Sequence, residues 1–261
     1  MRLSPGAVAA VVALAAAAIG ASALALGSRR TRRQVEIHRD WWAARTHTPP
    51  DDDAFHLVVL GDSAAQGVGV PDPARAYVVR VAERLATELD RPVATTNLSV
   101  SGATTADLIA DQLPLLEGLR ADTDLVVCVI GSNDVVRGDY EPAGFGARIE
   151  EIAAALPAGS VLGEVPCFGH PPWEPRVRRL NPLVSAAAQR HGHTVAELHG
   201  ASAALWPVRI LGYVAGDWFH PNARGYAVWA DAIWAAVRAT PAVRAATAAR
   251  PASDHGAAPA T

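Results

Sequence analysis

Three turns of this 261-residue chain carry side chains able to move an acyl group or a proton. Gly61-Asp62-Ser63 offers a hydroxyl, Gly131-Ser132-Asn133-Asp134 a side-chain amide, and Asp217-Trp218-Phe219-His220 a carboxylate three residues before an imidazole. A hydroxyl becomes a nucleophile when a base takes its proton, a further group orients that base, and donors wait for the developing oxyanion. Ser63 can attack, and His220 carries the side-chain type that titrates nearest neutrality. Asp217 can accept from Nδ1 of His220 and leave Nε2 facing the serine. The backbone amides of Ser63 and Gly102 and the side-chain amide of Asn133 are the candidate oxyanion donors.

These residues need a scaffold that brings distant segments together, and the hydrophobic pattern supplies one. The apolar run 57–60 ends at Gly61 and reads as a short buried strand. Further strands are expected over 93–98, 124–130, 160–165 and 193–198, alternating with amphipathic helices over 77–89, 105–116, 145–156, 176–190 and 223–238. The run 124–130 is apolar on both faces, as the centre of a helix-covered parallel sheet must be. The alternation predicts an α/β fold, a three-layer α/β/α sandwich on a mainly parallel five-stranded sheet with right-handed crossovers. Ser63, Gly102 and Asn133 then follow the first three strands, and Asp217 and His220 precede the last helix, for which Asn222 is the expected N-cap.

Each fragment alone has a plainer reading: Gly-Asp-Ser is a common turn, Asn133 and Asp134 can cap a helix, and residues 217–220 can be a surface turn. Four such fragments, in this order and at strand ends, point to one site. Together they resemble the SGNH (GDSL-type) serine hydrolases: Gly61-Asp62-Ser63 is similar to the first block, Gly102 with 97–101 to the second, Gly131-Ser132-Asn133-Asp134 to the third and Asp217-Trp218-Phe219-His220 to the last. The likeness runs from about residue 55 to 237, and departs where Ala64-Ala65-Gln66-Gly67 stands in place of the common Leu-Thr-x-Gly. It implies a flavodoxin-like fold and hydrolysis of a carboxylic ester or thioester by Ser63, His220 and Asp217, without a metal or other cofactor. Acyl esters, thioesters and glycan acetyl groups remain alternative substrates of the same machinery, and a non-catalytic binding module of this fold is the alternative of another class.

Val68, Val135, Val136, Phe168 and Trp218 are candidates for an apolar acyl pocket, with core packing the competing account of each. His170, ahead of Pro171-Pro172, reads as part of a rigid loop; His191, His193 and His199 read as solvent-facing, without ligand spacing for a metal. The two cysteines, Cys128 in a strand and Cys167 beyond another, are expected as free thiols. A net charge of −3 gives no electrostatic case for nucleic acid.

Residues 7–27 carry no charge, enough at ~1.5 Å per residue to cross ~30 Å of hydrocarbon. Arg29, Arg30, Arg32 and Arg33 follow at once, which favours an uncleaved single-pass anchor over residues 1–33 with the rest on the cytoplasmic side. The alternative is a signal peptide cut near Ala21-Ser22-Ala23, giving a secreted protein. A linker is expected over 34–54, one hydrolase domain over 55–239, and a disordered Ala/Pro-rich tail over 240–261. The expected partners are a small-molecule or lipid ester and the membrane; oligomeric state is not legible.

Overall fold

A computed structural model describes residues 5–46, 53–138, 140–207 and 209–249. Five parallel strands, β1 (Phe55–Gly61), β2 (Val93–Asn97), β3 (Leu125–Val129), β4 (Val161–Gly163) and β5 (Thr194–Ala196), lie in the order β2-β1-β3-β4-β5. In this order the chain reverses direction across the sheet at β1 and β3, the switch point where doubly wound sheets open a crevice at the strand ends. Gly61 pairs with Val129, so the turns after both strands leave the sheet side by side.

Alternation within the strands divides the core. Leu57, Val59, Val127 and Val129 face one helical layer, formed by α3 (Tyr77–Leu89), α10 (Ala223–Ala239) and α11 (Pro241–Ala248). Val58, Leu60, Val126 and Cys128 face the other, formed by α5 (Leu113–Leu119), α7 (Pro142–Ala155) and α8 (Trp173–Arg190). The α3 boundaries coincide with the expected 77–89, because Asp90 takes a left-handed φ of 53° and Pro92 follows. Both α7 and α8 start three residues earlier than their apolar periodicity; in α7, Glu141 caps the helix with its carboxylate and Pro142 suits a first turn. The helix expected over 105–116 is interrupted by a π-helical turn, Leu108–Gln112, between α4 (Thr105–Asp107) and α5. Both thiols are free and Cys128 is core, as expected.

Two expectations are corrected. The segment 34–46 is not a linker but the end of a continuous helix, α1 (Pro5–Thr46), docked on the domain. Gly27, Thr31, Gln34, His38 and Trp42 form its inward stripe: Thr31 and His38 are buried, and Trp42 enters the core while donating from Nε1 to the Gln66 carbonyl at 3.2 Å. Burial holds the His38 imidazole below its usual range, against the opposing pull of the Gln66 carbonyl. Nor is the tail disordered from 240: Thr240 and Pro241 begin α11, and Val243, with Ala242 and Ala246 beside it, anchors the helix on the core. Residues 250–261 lie outside the described residues.

The membrane-crossing expectation rests on 7–27, of which the side chains over 7–21 and those of residues 23 and 24 lie outside what the structure describes. Among the described residues, no helix is long and apolar enough to cross a membrane.

Trp42→Ala removes a buried indole and its hydrogen bond, and is expected to lower unfolding stability by about 3–5 kcal/mol. Urea denaturation of the full chain checks this; a loss below ~1 kcal/mol would mean that α1 is not docked.

Candidate active site

Ser63 begins the four-residue helix α2 (Ser63–Gln66) as β1 ends. Asp62 caps that helix, accepting from the Ala64 amide at 2.9 Å, and Gly67 ends it at a φ of +85°. Such a tight strand-to-helix turn places Ser63, itself buried, at the carboxyl end of the sheet and against a cavity. Ser63 Oγ lies 2.8 Å from His220 Nε2, and His220 Nδ1 lies 2.7 Å from Asp217 Oδ2.

The Asp217 turn holds itself. Its Oδ1 accepts from the backbone amides of Phe219 and His220, both at 3.1 Å, leaving Oδ2 to the imidazole. Burial raises the Asp217 pKa, but the His220 ring and those two amides outweigh it and hold the carboxyl at about 2, below its ordinary 3.8. Asn222 caps α10 as expected, through the Arg224 and Gly225 amides, and its Nδ2 donates to the Gly212 and Val214 carbonyls at 3.0 Å. One side chain thus fixes both the helix start and the loop leading to His220. Gly69, at φ +112°, lies so close behind that a Cβ there would sit 2.8 Å from the Cβ of His220.

The second and third turns are braced to the first by polar side chains. Gln66 donates to the Ser99 carbonyl at 2.7 Å and accepts from Ser101 at 2.6 Å. Gln112, brought inward by the π turn, exchanges two hydrogen bonds with the Gly61 backbone, at 3.0 and 2.8 Å. Asp134 accepts from the amide and hydroxyl of Thr105, at 3.0 and 2.6 Å, joining the Asn133 turn to the Gly102 loop. Asn133 Nδ2 donates to the Ala103 carbonyl at 2.9 Å and approaches Asp62 Oδ2 at 3.4 Å, too long for a strong bond, so one amide hydrogen is weakly committed. Gly102, at φ +84°, is exposed, and a Cβ added there would meet nothing within 4 Å.

A cavity of about 250 Å³ opens beside Ser63 and His220, at the small end of ligand sites. Phe168 and Trp218 line it, together with Trp173, Trp206, Ile210 and Tyr213, which the sequence reading missed. Val68 and Val135 do not line it: both are fully buried in the core, and the Val68 carbonyl accepts from the Tyr226 hydroxyl. Val136 packs against the core as well. His170 does border the cavity, its ring edge-on to Trp173 at 4.9 Å between centroids.

The remaining histidines do not simply face solvent. His191 bonds Glu150 at 2.8 Å, His193 is buried against the Ala153 carbonyl at 2.8 Å, and His199 bonds Glu174 at 2.9 Å. Donor atoms of Cys167, Glu174 and His199 fall within 4.8 Å of one another, a spacing a metal ion can use. The Glu174 carboxylate is already filled, however, by the Phe168 and Gly169 amides, His199 and Arg178. It therefore serves to brace the 167–169 wall of the cavity. Burial, then the neighbouring Glu174, push the Cys167 thiol up to about 12, which keeps it protonated and unreactive.

With this geometry in hand, the model of the GDSL-like lipase/acylhydrolase family matches residues 59–228. The chain belongs to that family. Its members hydrolyse esters, and this GDSL-like hydrolase carries its family blocks where the sheet brings them together. Similar solved structures include TesA, 23% identical over 70% of this chain and 98% of that one, with a TM-score of 0.59. A lipase/acylhydrolase from Enterococcus faecalis is 23% identical over 74% and 96% of the two chains, with a TM-score of 0.58. Axe2, an acetylxylan esterase from Geobacillus stearothermophilus, is 19% identical over 71% and 94%, also at 0.58. At these identities the likeness is one of fold. No curated protein matches this chain. The helix α1 lies outside the residues matched by the family model.

Asp62 yields a pH prediction. Burial raises its pKa to about 6 from an ordinary 3.8, with the Ala64 amide and His220 opposing. The folded state therefore holds this proton more tightly than the unfolded chain does, a stabilisation present below pH ~4 and lost as pH rises through about 6, worth about 3 kcal/mol in the limit. Asp62→Asn should abolish that decline, seen as a flatter dependence of the urea midpoint between pH 4 and 6. An unchanged slope would contradict the assignment.

Proposed function

We propose that this GDSL-like hydrolase cleaves carboxylic esters of apolar acyl groups, with Ser63 as nucleophile, His220 as general base and acid, and Asp217 orienting His220. The observation that carries the reading is the continuous relay of short contacts from Ser63 Oγ to His220 Nε2, at 2.8 Å, and from His220 Nδ1 to Asp217, at 2.7 Å. As Oγ attacks the ester carbonyl, its proton passes to Nε2, and the ionised Asp217 stabilises the imidazolium. The developing oxyanion is received by the amides of Ser63 and Gly102 and by Asn133, each donor worth ~3 kcal/mol. The alcohol leaves with the proton from Nε2, and water repeats the sequence on the acyl-enzyme. The aromatic lining of the cavity supports an apolar acyl group as the part held beside Ser63.

The reading includes a membrane tether: the uncharged run 7–27 enters the bilayer as the first half of α1, and the four arginines after it hold the domain at the cytoplasmic surface. Continuity of α1 through 21–23 and its docking on the catalytic domain support an anchor that stays attached.

Ser63→Ala should reduce kcat/KM on p-nitrophenyl acetate by at least ~10⁴-fold without changing the melting temperature. Retention of the wild-type rate in folded variant protein would refute the assignment.

A further inference from the structure

Resting on the reading of a tethered hydrolase, we propose that the mouth of the cleft is a docking surface for an anionic lipid bilayer, and that the ester it receives is carried by an amphiphile resident in that bilayer. The helix acts as a depth gauge. Gly27 closes the uncharged run, and it is pressed against the turn that carries Asp217 and His220: a Cβ on Gly27 would fall 2.0 Å from the Gly216 carbonyl oxygen and 2.9 Å from the Asp217 nitrogen. Only glycine permits that approach, and it sets the catalytic turn level with the end of the apolar run. At ~1.5 Å of rise per residue, the arginines at 29–33 lie within ~10 Å of the same level, about the depth of a headgroup layer.

The surface around this contact has the matching chemistry. Leu26, Leu211 and Trp218, at 56%, 62% and 62% exposure, account for half of the six large apolar side chains left exposed among the described residues. Leu26 adjoins the Gly27 contact, Trp218 follows Gly216 by two residues, and Leu211 stands in the loop that Asn222 ties to the same turn. Trp218 is held at a φ of +60°, a conformation rare for a bulky residue, in the turn that keeps its ring both at the cavity lining and in the open. An indole is the side chain best suited to the boundary between headgroups and hydrocarbon. Arg29, Arg30, Arg32 and Arg33 are all exposed, and none forms an ion pair among the described residues, which leaves four positive charges for lipid phosphates. The cavity, at about 250 Å³, then holds the acyl segment next to the ester while the rest of the amphiphile passes over Trp218 into the bilayer.

The test uses the full chain reconstituted in vesicles of phosphatidylcholine with phosphatidylglycerol, and in phosphatidylcholine alone. Two substrates are compared, soluble p-nitrophenyl acetate and p-nitrophenyl palmitate partitioned into the vesicles. Two variants are used, Leu211→Asp and the fourfold replacement of Arg29, Arg30, Arg32 and Arg33 by Gln. Both are expected to keep the soluble rate and to lose at least about tenfold on the vesicular ester, and the wild type to lose a similar factor without phosphatidylglycerol. Undiminished vesicular turnover in both variants overturns the proposal. If the wild type does not hydrolyse the soluble ester, the hydrolase reading fails; if the full chain does not float with the vesicles, the tether fails and the docking surface with it. Should Leu211→Asp lose the soluble rate too, the arginine variant decides alone.

Discussion

The pairing of β1 with β3 is the constraint on which the site depends. Parallel register sets Gly61 against Val129, and the order β2-β1-β3 opens a crevice where those strands end. A slip of one residue would turn every side chain of β1 to the opposite helical layer, so the hydrophobic core that fixes the register also fixes where Ser63 and Asn133 emerge. The geometry around Ser63 is inherited from core packing. Leu57 and Val59 on one side, and Val58 and Leu60 on the other, hold the strand whose end delivers the hydroxyl.

Strand ends place backbone to within a few ångströms, whereas proton transfer needs tenths. The difference is made up by polar side chains whose hydrogen-bonding capacity is spent inside the rim. Gln112 occupies both backbone groups of Gly61, Gln66 spans to the loop after β2, Asp134 joins that loop to the turn after β3, and Glu174 gathers the cavity wall. Buried and satisfied, each contributes a few tenths to a few kcal/mol, and each restricts its loop to one arrangement. Asp62 stands apart, a buried carboxyl beside Ser63 with few donors, and burial raises its pKa to about 6.

The sequence made the strands, most of the helices and the four family blocks legible because each rests on local rules: apolar periodicity, glycine at positive φ, and a carboxylate three residues before an imidazole. What it hid depends on distance. The inward face of α1 reads Gly27, Thr31, Gln34, His38, Trp42, a stripe at helical spacing with a single large apolar member, so periodicity alone described a linker. Its partners, the Gly216 backbone, the Gly69 amide and the Gln66 carbonyl, carry no side-chain signal at all. Val68 and Val135 stand beside the family blocks, but the short helices Ser63–Gln66 and Ser132–Val136 that follow β1 and β3 turn them into the core. Trp173, Trp206 and Tyr213 reach the cavity from segments far apart in sequence, which no spacing rule connects.

The central claim is that the Ser63 hydroxyl is activated by His220, and reactivity at that oxygen tests it most directly. Treating the folded full chain with a fluorophosphonate and mapping the adduct by peptide mass spectrometry should find a single phosphonylated residue, Ser63, and labelling should fall steeply in His220→Ala. Absence of an adduct on Ser63 in folded protein, or equal labelling with and without the imidazole, would contradict it.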